Sequence, residues 1–161
     1  KIPASDPNQV AYLTQTTLSL DDTSEIIKIL KQRFPNIEGP PKDDICYATQ
    51  NRQNAVKVLA SQVDRILVVG ASNSSNTLRL VEVAKAQGTE ARRVEEASQI
   101  EKADVEGVKS IGITAGASAP EDVVESIVAK LCELAPHNNV RELKLVDENV
   151  NFALPALLRT A

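Results

Sequence analysis

One pattern recurs three times along this chain and limits its folding more than any other feature. An apolar run is followed by a loop of small hydroxyl and amide residues, and then by residues at helical spacing. The clearest example is Arg65-Ile66-Leu67-Val68-Val69-Gly70, then Ala71-Ser72-Asn73-Ser74-Ser75-Asn76, then a helix through Leu78, Leu80, Val81 and Ala84 that ends near Gly88. A second runs from a strand over Lys109 to Thr114, through Ala115-Gly116-Ala117-Ser118-Ala119-Pro120-Glu121, into a helix reaching about Leu134. The third has Val10 to Leu13 as a short buried strand, Thr14-Gln15-Thr16-Thr17-Leu18-Ser19 as the loop, and a helix from about Asp21 to Arg33 with Ile26, Ile27 and Leu30 on one face. Alternating strands and helices predict an α/β fold of repeated small units, with mostly parallel sheets flanked by helices. Aromatic residues make up only 2% of the chain while 42% is apolar, so the core is aliphatic, as suits helices on a β-branched sheet.

The connecting segments divide the chain. Residues 34–42 hold three prolines and a glycine and mark a boundary. A helix from about Thr49 to Ser61 follows the stretch Asp43-Asp44-Ile45-Cys46, with Ala55, Val56, Leu59 and Ala60 as its apolar face. Glu90 to Val94 is a weaker strand, and Ala97 to Val105 a short helix or polar connector. After Pro136 the alternation at Leu143 and Leu145, then Val150, Phe152 and Leu154, predicts a C-terminal β-hairpin tail.

In a parallel sheet, ligands bind beyond the carboxyl ends of the strands, which is where all three loops fall. Ser74, Ser75 and Asn76 offer two hydroxyls and an amide just before a helix N-terminus, where free N–H groups and the positive dipole end favour a phosphate or diphosphate. The same residue types also cap their own helices, and both readings fit. Ser118 with Glu121 makes a capping box that accounts for both side chains without a ligand. Ser19 with Asp22 does the same earlier in the chain.

Cys46 stands at a bend before a helix, where a thiolate is stabilised. It fits a buried small residue and a metal ligand equally well. Cys132 lies inside the last helix and reads as packing, and His137, the sole histidine, reads as an exposed loop residue. The two cysteines form neither a disulfide framework nor a zinc pattern, which makes a reduced, cytoplasmic setting the expectation. No run of 18 apolar residues is present, so no membrane span is expected. A net charge of -4 argues against nucleic acid as partner. The chain begins Lys1-Ile2-Pro3 and contains no methionine, from which a fragment or processed piece is expected.

Four stretches, in order, resemble the 4-hydroxy-3-methylbut-2-enyl diphosphate reductases, the LytB/IspH family. They are Thr14 to Ser19, Asp44 to Thr49 with Asn51-Arg52-Gln53, Val68-Val69-Gly70 with Asn73 to Asn76, and Thr114 to Glu121. The resemblance implies an iron–sulfur reductase of the non-mevalonate isoprenoid pathway, removing a hydroxyl from an allylic diphosphate to give isopentenyl and dimethylallyl diphosphates. It implies a four-iron, four-sulfur cluster held by three cysteines at the centre of three similar α/β units, with ferredoxin or flavodoxin as electron donor. By the same resemblance Cys46 matches the last cluster cysteine, Thr16 a substrate-contacting threonine, and Ser74, Ser75, Asn76 and Ser118 the diphosphate-binding groups. The family's other two cluster cysteines, its substrate histidines and its proton-delivering glutamate are expected upstream of Lys1, so no catalytic residue is identified within the chain. The expected division is residues 1–42 as the C-terminal part of a second unit, 43–135 as the third unit and 136–161 as a tail. The chain alone is expected to be inactive, with an exposed apolar face before Lys42. The alternative is a non-enzymatic α/β module that binds a phosphorylated small molecule.

Overall fold

The computed structural model describes residues 6–40, 45–136 and 139–145. Its centre is the strand β1 (Arg65–Val69), flanked on one side by β2 (Glu90–Val94) and on the other by β3 (Ile111–Ala115), all parallel. A central parallel strand is covered on both faces, which is why its residues 66–69 are all apolar and all buried. Successive side chains point to opposite faces. Ile66 and Val68 join a cluster with Val56, Leu80, Val83 and Ala84, while Leu67 and Val69 join another with Val94, Ile100, Ile127 and Leu131. Each such side chain stabilises the fold by roughly 1.5–3 kcal/mol on burial, so this one strand anchors both layers.

The helices divide between these layers. α2 (Tyr47–Ala60) and α3 (Ser75–Ala86) cover the face of Ile66 and Val68, and α5 (Glu121–Leu134) covers the face of Leu67 and Val69. Gly112 of β3 leaves the room that Leu59 of α2 occupies, since a Cβ there would overlap the leucine. A 3-10 turn at Ala97–Gln99 and the short α4 (Lys102–Val105) return the chain from β2 to β3 across the second face. The helix after β1 and the helix after β3 thus leave adjacent strands towards opposite faces. In open α/β sheets such a divergence marks the carboxyl strand ends, here those of β1 and β3, as the place where ligands bind.

The first segment differs from expectation. Val10 to Leu13 form no buried strand: there is one isolated parallel bridge, Ala11 to Glu38, and Leu13 is 84% exposed. Tyr12 N–H donates to Glu38 O at 2.9 Å and Glu38 N–H to Val10 O at 3.0 Å. Towards Leu13 the ladder stops because Pro40, next in register on the partner segment, carries no N–H to donate. Helix α1 (Leu20–Arg33) forms as expected, yet only Thr23 on it is buried, and Ile26 and Ile29 are 57% and 56% exposed. The apolar face expected here is present. Residues 139–145 form no strand and expose Leu143 and Leu145; the rest of the expected hairpin, with His137, lies outside the described residues. Among the described residues no helix is long and apolar enough to cross a membrane.

One ion pair joins β2 to the return path. Arg92 Nε donates to Asp104 Oδ1 at 2.7 Å and Nη2 donates to Oδ2, while Glu101 N–H donates to Oδ2 at 2.8 Å. Arg65 Nη1 donates to the Asp104 carbonyl at 2.8 Å, fixing α4 to β1 as well. Burial pushes the Asp104 carboxyl up, but the Arg92 guanidinium and the Glu101 N–H outweigh it and hold the carboxyl below its ordinary value. A carboxylate lowered on folding contributes stability above its unfolded pKa of about 3.9 and loses it as pH falls through the folded value. Removing one partner of a fully buried pair costs about 3–5 kcal/mol. Arg92 is 38% exposed, so solvent screening reduces the expected cost of Asp104→Asn to about 2 kcal/mol near neutral pH. Urea unfolding should show this deficit, narrowing as the pH drops below about 4.

Candidate functional site

Loops from three parts of the chain, together with the start of α2, make up the site. After β1, Gly70 takes φ +154, and its N–H donates to Val94 O at 2.9 Å. The chain turns with Ser74 N–H on Ala71 O at 3.1 Å, and Ser74 caps α3 by accepting from Thr77 N–H at 3.2 Å. Ser75 is exposed. Asn76 is only 8% exposed, and neither its Nδ2 nor its Oδ1 has a partner among the described residues. A buried polar group without a partner costs roughly 1–3 kcal/mol, so a native chain keeps one where something else completes it. No acidic residue occupies the first turn of α3, whereas α1 has Asp21 and Asp22 there and α5 has Glu121 and Asp122. The positive end of α3 is therefore left for an outside anion. From the other side, Glu95 accepts from Ser72 N–H and from Arg93, and these contacts hold its carboxyl below the usual range.

The loop after β3 lies beside this one, since Val69 pairs with Ala115 and Gly116 N–H donates to Val69 O at 2.8 Å. Ser118 does not cap α5, contrary to the capping box expected from sequence. The helix starts at Glu121, Pro120 is its N-cap at φ -66 and ψ 143, and no side chain caps it. The cause is the proline, which keeps the preceding Ala119 out of the helical region and delays the helix. Ser118 is instead exposed, in a turn closed by Ala119 N–H on Gly116 O at 3.1 Å. The structural explanation of this serine is thereby removed, and its hydroxyl is available to a ligand.

The third loop precedes α1. Ser19 caps that helix as expected, accepting from Asp22 N–H at 3.3 Å, and Thr16 is exposed. Cys46 is the N-cap residue of α2, with no side-chain capping bond; it is free and exposed, and the first turn that follows has no acid. It is not the buried small residue that was one of its two sequence readings. Cys132 sits half-buried in α5. Among the described residues no three His, Cys, Asp or Glu side chains gather into a metal site.

Three residues given no role from sequence join these pieces. Gln53, 1% exposed, donates through Nε2 to Leu18 O at 2.8 Å and accepts at Oε1 from Leu20 N–H at 3.1 Å, tying the first loop to α2. Arg52, next to it, donates through Nη1 to Ala115 O at 2.8 Å and brings a cation to the carboxyl end of β3. Thr77 is fully buried against Ser74. Two signals pointed to Gln53: a glutamine on the packed side of the helix, and its place in the Asn51-Arg52-Gln53 stretch.

Comparison with known proteins places these loops in a larger set. The LytB protein family matches residues 1–132. A 4-hydroxy-3-methylbut-2-enyl diphosphate reductase of Idiomarina loihiensis is 52% identical over 159 residues, covering 99% of this chain and 50% of its own. One from Burkholderia mallei is 53% identical over 155 residues, covering 96% of this chain and 47% of its own. The solved structure of the E-1-hydroxy-2-methyl-but-2-enyl-4-diphosphate reductase from Plasmodium falciparum superposes with a TM-score of 0.77 at 34% identity, over 89% of this chain and 48% of that one. The chain spans about half the length of the curated relatives it matches.

The clasp made by Gln53 is directly testable. Gln53→Leu keeps most of the volume but leaves the Leu20 N–H and the Leu18 carbonyl without their partner. The expected cost is about 1–2 kcal/mol, because both groups are only part-buried and water can replace some of the loss. Hydrogen exchange at Leu20 N–H should accelerate in the variant, measured against the slow amides of β1.

Proposed function

The chain belongs to the LytB family, and from that premise we propose that it forms part of a 4-hydroxy-3-methylbut-2-enyl diphosphate reductase of the non-mevalonate isoprenoid pathway. Its share of the work is holding the diphosphate of the allylic substrate. The observation that carries this reading is the buried Asn76 amide, unpartnered at both polar atoms, at the acid-free N-terminus of α3. An extended anion at the carboxyl ends of β1 and β3 would accept from Asn76 Nδ2, from the hydroxyls of Ser74, Ser75 and Ser118, and from the free N–H groups of the helix. Thr16 would meet the substrate from the first loop. Oriented neutral donors at a helix start bind an anion without Lys or Arg at the contact. We assign residues 1–42 to the end of one α/β unit, 43–135 to a further unit and 136–161 to a tail, all in a cytoplasmic enzyme that takes its electrons from a ferredoxin or flavodoxin.

The family resemblance implies a four-iron cluster, and the donor set here fits only one corner of it. Such a cluster needs three or four thiolates. The chain has two cysteines, and only Cys46 is exposed at a loop edge beside the site. Cys46 is thus proposed as one ligand, the others coming from elsewhere in the enzyme, and the 161 residues alone should have no reductase activity.

The test uses the intact enzyme, reconstituted with iron and sulfide without oxygen. Asn76→Leu and Ser118→Ala should each weaken diphosphate binding by about tenfold or more, the value of one hydrogen bond to a charged group. Asn76→Leu should leave thermal stability unchanged or higher, because it removes an unsatisfied buried amide. Cys46→Ser should reduce the brown iron–sulfur absorbance while diphosphate binding persists. A colourless wild-type protein that binds phosphate esters would favour the non-enzymatic module, and turnover by the 161-residue chain alone would refute the single-ligand reading.

A further inference from the structure

Thr77 lies beneath the anion site without facing it. Its side chain is fully buried. Its Oγ1 donates to Ser74 Oγ at 2.9 Å, and its backbone N–H donates to that same oxygen at 3.2 Å. A Cβ added at either Gly70 or Gly116 would overlap Thr77 Oγ1, so the exits of β1 and β3 both close over this one hydroxyl. The glycines at the two strand ends thus share an explanation: each leaves room for the same threonine.

We propose that Thr77 is a positioning residue that aims the Ser74 hydroxyl at the bound anion, an inference that rests on the diphosphate reading above. A serine hydroxyl has two lone pairs and one proton. Thr77 donates to Ser74 Oγ twice, once from its backbone and once from its side chain, and so occupies both lone pairs. The proton is what Ser74 has left to offer, and an anion takes only donors. The unpartnered Asn76 amide two residues on is independent support for a ligand at this end of the helix. Without the Thr77 hydroxyl, Ser74 Oγ keeps a vacant lone pair and more rotational freedom, and its O–H spends less time directed outward. Threonine suits the place better than serine or valine alone, since its methyl fills the packed side while its hydroxyl serves the loop.

The experiment is a calorimetric titration of the full natural chain with inorganic diphosphate. It compares wild type with Thr77→Val, Thr77→Ser, Ser74→Ala and the double variant Ser74→Ala with Thr77→Val. Thr77→Val is nearly isosteric and should weaken binding about five- to tenfold, part of the value of a hydrogen bond to a charged group. Thr77→Ser should restore most of it. In the Ser74→Ala background, Thr77→Val should cost nothing further, because Thr77 acts through Ser74. Thr77→Ala, which also lacks the hydroxyl, replaces Thr77→Val if the valine variant does not fold. Wild-type affinity in Thr77→Val, or an equal loss with and without Ser74, overturns the proposal. Failure of the wild type itself to bind diphosphate overturns the site reading and the proposal together, which separates the two.

Discussion

The fold depends first on β1 having a neighbour on each side and a helix layer on each face. Its four apolar residues alternate between the two core clusters, so each layer rests on two side chains of the same strand. The helices after β1 and β3 leave to opposite faces, so the loops that start them diverge from neighbouring strand ends. The hydrogen bond from Gly116 N–H to Val69 O, at 2.8 Å, fixes how close the two loops stand. Everything that touches the proposed anion is attached to one or other of these two loops, apart from the loop before α1.

That remaining loop is brought in by α2. Gln53 holds its backbone, Arg52 reaches the carboxyl end of β3, and Cys46 starts the helix. A helix is stiff, so three contacts made from one helix keep a fixed relation to one another. The same helix packs on β3 through Leu59 in the space left by Gly112. Arg52 and Gln53 thus act on the geometry of the site while making their own contacts to backbone groups, which is why their residue types matter even though neither faces the ligand.

Much of this was legible in the sequence, and the failures have particular causes. The 3.6-residue period located α1, α2, α3 and α5, and apolar runs located β1 and β3, with β2 the weaker strand; α2, α3 and α5 bury a face against the sheet, whereas α1 buries only Thr23. Val10 to Leu13 carried the same apolar signal and still formed only one bridge, since no ladder was available beyond Glu38. Ser118 was legible as a cap, and the proline two residues later overrode that local pattern. Asn76 was legible as a donor, but its lack of a partner is a property of the folded surroundings and has no sequence signature. Gln53, Arg52 and Thr77 act through contacts 3 to 63 residues away in sequence, two of them on backbone groups, and spacing rules do not reach such contacts.

The charge arrangement resolves an apparent conflict. A chain with a net charge of -4 is a poor general attractor of anions. The first turns of α1 and α5 carry acids, however, and those of α2 and α3 carry none, while Glu95 is held on Ser72 N–H and Arg93. Helix-end fields fall off within a turn, so this local pattern outweighs the distant net charge. The start of α3 then suits an anion beside Asn76. An unfilled Asn76 amide destabilises the empty fold by the cost of its unsatisfied groups, and a bound anion relieves the part that belongs to the Nδ2 donor. Binding and folding are therefore linked at this position: whatever binds there also stabilises the strand ends around it.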